Sequence, residues 1–222
     1  FSVTTKKLCA ADPYALCLIL CELGLPLTPK YRFIFVDEAQ DISLPEYEVL
    51  RAINDRAAFN IFGDLKQNIT PYRGIKDWGE LGYKQFNLSL NYRNTNKIVD
   101  FVSGNLAIDM QAIGTEGGEV DIISSRAVTK YLSACGGLSA VICSEAKLPD
   151  YIRKSYNVVR STGRISKSKI NIMTVYESKG LEFTSVAVAD GDMSDNEKYI
   201  AYTRALKNLA LATGPPYLRA ST

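Results

Sequence analysis

The chain has 222 residues, 46% apolar content and a formal net charge of +2. That is enough apolar matter for one large domain or two small ones, with no strong electrostatic footprint for the chain as a whole, though summed charge leaves room for a local basic groove. No apolar run approaches the ~18 residues of a membrane span, and no secretory signal is visible.

Five cysteines stand at 9, 17, 21, 135 and 143 without a Cys-x-x-Cys, and there is no histidine. This excludes Cys/His zinc sites, Ser-His triads and Cys-His nucleophile pairs. The cysteines read as reduced, small buried hydrophobes, which implies a cytosolic, hence cytoplasmic, protein.

In chain order, Pro13–Leu23 has a helical pattern, with Cys17 and Cys21 one turn apart. Phe33–Val36 reads as a fully buried strand by its continuous β-rich run. A helix is predicted over Pro45–Asn54, a second strand over Ala58–Phe62 ending at Gly63-Asp64, a third over Phe86–Leu90 and a helix over Asn96–Leu106. Gly114-Thr115-Glu116-Gly117-Gly118 breaks the pattern and is the best linker candidate. Beyond it, strands are predicted at Val120–Ile123, Ser139–Cys143, Asn157–Arg160, Lys169–Val175, Thr184–Ala189 and Leu209–Ala212. Helices are predicted at Val128–Ala134, Leu148–Lys154 and Asn196–Lys207. Pro215-Pro216 reads as a terminal tail. Apolar strands alternating with helices define an α/β class, in two units hinged near 114–118.

The stretch Phe33-Ile34-Phe35-Val36-Asp37-Glu38-Ala39-Gln40-Asp41 drives an apolar strand into a knot of carboxylates. A carboxylate at the C-terminal end of a buried strand sits where open α/β sheets bind ligands. One Asp there can hold Mg²⁺, and a neighbouring Glu can activate water for attack on a phosphoryl group. The alternative is a strand end followed by a helix N-cap with acidic first-turn residues. Four further segments follow in order: Gly63-Asp64-Leu65-Lys66-Gln67 with Tyr72-Arg73-Gly74, Asn91-Tyr92-Arg93-Asn94-Thr95, Thr174-Val175-Tyr176-Glu177-Ser178-Lys179-Gly180-Leu181-Glu182-Phe183, and Tyr202-Thr203-Arg204-Ala205.

Taken together these segments resemble the UvrD/Rep-like superfamily 1 DNA helicases, from about Arg32 to Leu211. The resemblance implies a RecA-like P-loop NTPase fold with parallel sheets flanked by helices. It implies ATP in the cleft between two such domains and single-stranded DNA across them. Residues 1–113 would be the C-terminal part of the first domain and 114–222 the second. By resemblance, Asp37 is the Mg²⁺ carboxylate, Glu38 the water-activating residue and Gln67 the γ-phosphate sensor. Arg93 and Arg204 reach the γ-phosphate, Arg204 as an arginine finger. Tyr92 stacks on adenine, and Glu182, with Gly180 nearby, lies on the ribose side. Tyr72 stacks on a DNA base, or is a turn residue after Pro71. Thr174, Tyr176, Ser178 and Lys179 contact the DNA strand, from a helix that opens after a strand; a plain solvated lysine is the alternative for Lys179. Trp78 reads as core.

Three departures stand out. Tyr176 takes the place of a usual His, and Thr70 that of a usual Tyr. No Gly-x-x-x-x-Gly-Lys-[Ser/Thr] occurs, so nothing in the chain cradles the β-phosphate. The expectation is therefore the C-terminal part of a longer ATP-dependent DNA helicase, inactive alone without its N-terminal part. A non-catalytic helicase-like binding module is the second reading.

Overall fold

A computed structural model of the chain describes residues 12–25, 30–70, 73–161 and 163–214. Tyr72, Pro71, Cys9 and the Pro215-Pro216 tail lie outside the described residues. Contacts divide the chain into two compact units, Phe1–Phe86 and Asn87–Thr222.

In the first unit, α1 (Asp12–Glu22) packs on α2 (Leu44–Ile53), and β1 (Phe33–Val36) pairs in parallel with β2 (Ala58–Ile61). Helix α2 starts where the sequence says it should. Ser43 is its N-cap, Glu46 completes a capping box and Pro45 sits in the first turn, where its missing N–H costs nothing. Ile34 and Val36 point into a cluster with Ala39, Tyr47, Ile75 and Leu81, against which Trp78 packs.

The expectation of a fully buried first strand is corrected. Phe33 and Phe35 are 64% and 70% exposed. Side chains alternate across a strand, and only one face of the β1–β2 pair is covered among the described residues. A continuous apolar run encodes two covered faces, so the run alone misleads here.

The second unit is built on a six-stranded, all-parallel sheet of order β5-β10-β9-β6-β8-β7. Its strands are β5 (Asp121–Ser124), β6 (Ser139–Cys143), β7 (Asn157–Val158), β8 (Asn171–Thr174), β9 (Phe183–Ala189) and β10 (Ala205–Thr213). Helices α4 (Val128–Cys135), α5 (Leu148–Tyr151), α6 (Val175–Ser178) and α7 (Asp195–Thr203) connect them. Every residue of β6 is buried, as a central parallel strand requires. Burial pushes the Cys143 thiol up to about 12, so it is an inert core residue. Ahead of this sheet, β3 (Leu90–Asn91), α3 (Asn96–Leu106) and β4 (Gln111–Ala112) make a small parallel β-α-β unit, with α3 packed on α7 and β10.

Three expectations shift. The third strand of the first half is not at 86–90; pairing begins at Leu90, and Phe86 and Leu88 are exposed. The helix predicted to run to Lys207 ends at Thr203, because Ala205 already pairs with Phe183 in the central sheet. The glycine-rich stretch 114–118 is not where the compact units part. It is stitched to the start of α3 through Asn96 N–H to Thr115 O (2.8 Å) and Lys97 N–H to Glu116 O (3.2 Å). A Cβ on Gly117, which has φ +77°, would strike Thr95. The units divide instead between Phe86 and Asn87. No helix of the described residues is long and apolar enough to cross a membrane.

Candidate functional site

The acidic knot begins where β1 ends. Asp37 and Glu38 are both exposed. Asp37 Oδ1 accepts from the Glu38 N–H at 2.9 Å. Glu38 lies in the left-handed region at φ 49°, ψ 38°, unusual for a residue with a side chain. The neighbours impose it. Ala39 N–H extends the strand pairing to Phe62 O (3.0 Å), and Asp41 N–H closes a 3₁₀ turn onto Glu38 O (3.0 Å). Such strain, of order 1 kcal/mol, persists where the surroundings over-determine it, and it concentrates at functional sites. The helix N-cap alternative for this stretch is met in part: Glu38 is the N-cap residue of the 3₁₀ turn Ala39–Asp41, with Asp41 in its first turn, but its side chain makes no cap bond.

The Gly-Asp-x-x-Gln stretch follows β2 directly. Asp64 caps a short 3₁₀ turn by accepting from Lys66 N–H at 3.0 Å, and its other oxygen accepts from Gln67 Nε2 at 3.2 Å. Gln40, between the two acidic residues and this turn, contacts both. Arg73 donates to Glu46 at 2.8 Å. Burial pushes the Glu46 carboxyl up, but hydrogen bonds from Ser43, Tyr14 and Arg73 outweigh it and bring the carboxyl down to about 2. The capping glutamate of α2 thereby also anchors Arg73.

Asp37 and Glu38 present two adjacent exposed carboxylates, the ligand type that Mg²⁺ takes. Among the described residues no group of three or more His, Cys, Asp or Glu could form a cage. Mg²⁺ does not need one: it keeps several waters and uses one or two carboxylates plus substrate phosphate.

In the second unit, the Asn-Tyr-Arg-Asn turn is built around Asn91, whose Oδ1 accepts from the N–H groups of Arg93 and Asn94, both at 3.0 Å. This leaves Tyr92 projecting, 75% exposed. Arg93 pairs with Glu182 at 2.9 Å, so two residues assigned by resemblance to the nucleotide meet. Arg204 is buried at the end of α7. Its guanidinium donates to Ile200 O (3.1 Å), Leu181 O (3.3 Å) and Thr203 Oγ1 (3.3 Å). Both arginines thus converge on the Leu181-Glu182 turn. Asn94, for which the sequence reading had no role, braces Arg204 from both sides, donating to Thr203 O (3.0 Å) and Ala205 O (2.7 Å).

The expected DNA contacts divide. Tyr176 is half exposed, Lys179 is partly exposed and Gly180 has φ +76° with open space around it. Thr174 and Ser178 do not fit the expectation. Thr174 is a buried N-cap whose Oγ1 is engaged with Glu177 at 2.5 Å. Ser178 is fully buried and donates to Val175 O at 2.8 Å. The helix opens at Thr174 and ends at Ser178, so Ser178-Lys179-Gly180 closes it rather than opening it. Thr174 opens the helix as the spacing implies, whereas Ser178-Lys179-Gly180 falls at its other end.

The parallel sheet flanked by helices is a RecA-like α/β fold. The chain covers 86% of its length on the PRRSV helicase, with TM-score 0.56 and 15% identity. It covers 85% on arterivirus nonstructural protein 10, a helicase solved in complex with DNA, with TM-score 0.52 and 18% identity. The UvrD/REP helicase N-terminal domain matches residues 22–76, which span the acidic knot, the Gly-Asp-x-x-Gln turn and Arg73. The "Putative ATP-dependent DNA helicase R568" of Acanthamoeba polyphaga mimivirus is 25% identical over 201 residues, 72% of this chain. With these matches the resemblance to UvrD-like superfamily 1 helicases, read from the motifs, is shown. The chain spans 29% of the mimivirus protein's length, and 36% and 42% of the two viral helicase chains.

Proposed function

We propose that the chain is part of an ATP-dependent DNA helicase or translocase that couples ATP hydrolysis to movement on single-stranded DNA. In this reading the first unit contributes part of one RecA-like domain and the second unit the other. The observation that carries it is the acidic knot: a strand end presents Asp37, and the next residue, Glu38, is held in strained backbone with its carboxylate exposed.

Asp37 would hold Mg²⁺ with waters and phosphate oxygens, and the ion would neutralise charge on the transferring group. Glu38 accepts the proton of the attacking water. Gln67, tethered to Asp64, senses the terminal phosphate. Tyr92 offers an exposed ring for adenine, Glu182 faces the ribose side, and Arg93 and Arg204 offset phosphoryl charge. For Arg204 this requires exchanging its bonds to Ile200 O and Leu181 O. On the nucleic-acid side, Tyr72, Tyr176 and Lys179 remain the candidates, by stacking and phosphate contact.

Tyr176, where the resemblance expects a His, favours a second reading, a helicase-like binding module without turnover. DNA-stimulated ATPase assays on the full-length gene product separate the two, with Glu38→Gln as the control.

A further inference from the structure

Gln40 has no task in the nucleotide reading, yet it is the most buried polar side chain described in the first unit, at 0% exposure. Its carboxamide is used at both ends. Nε2 donates to Glu38 Oε2 at 2.6 Å, and Oε1 accepts from the Asp64 N–H at 3.0 Å. Its main-chain oxygen accepts from Asn68 Nδ2 at 2.9 Å. The partners fix the amide's orientation: the reverse would set oxygen against carboxylate and N–H against N–H.

Gly63 supports this independently. Its φ is not in the left-handed region, so backbone conformation does not call for glycine. Space does. A Cβ at 63 would lie 2.5 Å from Gln40 Oε1 and 2.8 Å from Trp78 Cη2. The glycine that opens the Gly-Asp-x-x-Gln stretch is therefore the residue that admits the Gln40 side chain. From Asp64 the bonds continue to Gln67 Nε2 at 3.2 Å.

We infer that Gln40 is a positioning residue that holds the Glu38 carboxylate and ties it to the Gly63–Gln67 turn. The water-activating group and the phosphate-sensing group then share one rigid frame. A glutamate in strained backbone gains a defined carboxylate position only if something buried and immobile holds it, and Gln40 is both. The inference deepens the ATPase reading and rests on it.

The test uses the full-length protein, with kcat and KM for single-stranded-DNA-stimulated ATP hydrolysis. Gln40→Glu keeps the size and the acceptor facing Asp64 but replaces the donor facing Glu38 with a negative charge. It lowers kcat about 10- to 100-fold while KM for ATP moves less than about threefold. Gly63→Ala, which leaves the acidic stretch untouched, lowers kcat in the same direction. In a Glu38→Gln background, Gln40→Glu costs nothing further, because the group it positions is gone. A merely structural glutamine would lower stability without this pattern. Unchanged kcat in folded Gln40→Glu, or losses that multiply in the double variant, overturn the inference. A wild-type protein that hydrolyses no ATP overturns the reading beneath it as well, and that failure is visible before any variant is compared.

Discussion

Replacing Glu46 by Gln removes one charge from a place where three elements meet: the N-cap of α2, Tyr14 of α1 and Arg73. The folded carboxyl lies at about 2, against an ordinary 4.5. At 1.36 kcal/mol per unit, that difference caps the contribution near 3 kcal/mol. Arg73 is 54% exposed, so solvent screens its share, and about 1–3 kcal/mol is the expected range. The depressed value sets the sign. The stabilisation is complete above the unfolded value near 4.5 and is lost as pH falls through about 2. The assay is urea denaturation followed by fluorescence of Trp78, the chain's one tryptophan, which packs on the same cluster. Glu46→Gln should cost about 1–3 kcal/mol at pH 7 and progressively less toward pH 2. A cost that stays constant across this range would refute the charge argument and leave only packing.

Three further outcomes follow from particular contacts. Asn94→Ala strips two buried carbonyls of their donor and should destabilise the second unit by about 1–3 kcal/mol, read as a lower thermal midpoint. Tyr92→Ala, at an exposed ring, should leave that midpoint unchanged while weakening ATP binding by about tenfold, measured by calorimetry on the full-length protein. Affinity for single-stranded DNA should fall with log salt at a slope of about −0.7 per phosphate neutralised; a flat response in a filter-binding or anisotropy titration would count against a DNA-binding surface.

Much of this was legible in the sequence because the physics is local. Ser139–Cys143 and Asn96–Leu106 appear at their expected bounds, since a five-residue β-rich run and a clean apolar period leave few alternatives. What was not legible depends on what lies opposite. Phe33 and Phe35 read as core, but whether a strand has one covered face or two is decided by its neighbours. The helix before Arg204 was drawn too long because propensity cannot register that Ala205 is claimed by β10. Thr174 and Ser178 kept their place in the motif but spend their hydroxyls on their own helix. Gln40 and Asn94 sat inside quoted motifs without a role. A buried amide shows no periodicity, and its long-range partners lie 24 to 111 residues away in sequence. The signal that would have found them was each one's place beside a charged motif residue, read as a demand for something to hold that residue still.

The most direct test of the central claim is ATP hydrolysis by the full-length protein with and without single-stranded DNA, for wild type and Glu38→Gln. The account predicts DNA-stimulated turnover in the wild type and a loss of at least about 100-fold in Glu38→Gln, with ATP still bound. Turnover that Glu38→Gln leaves intact would contradict it.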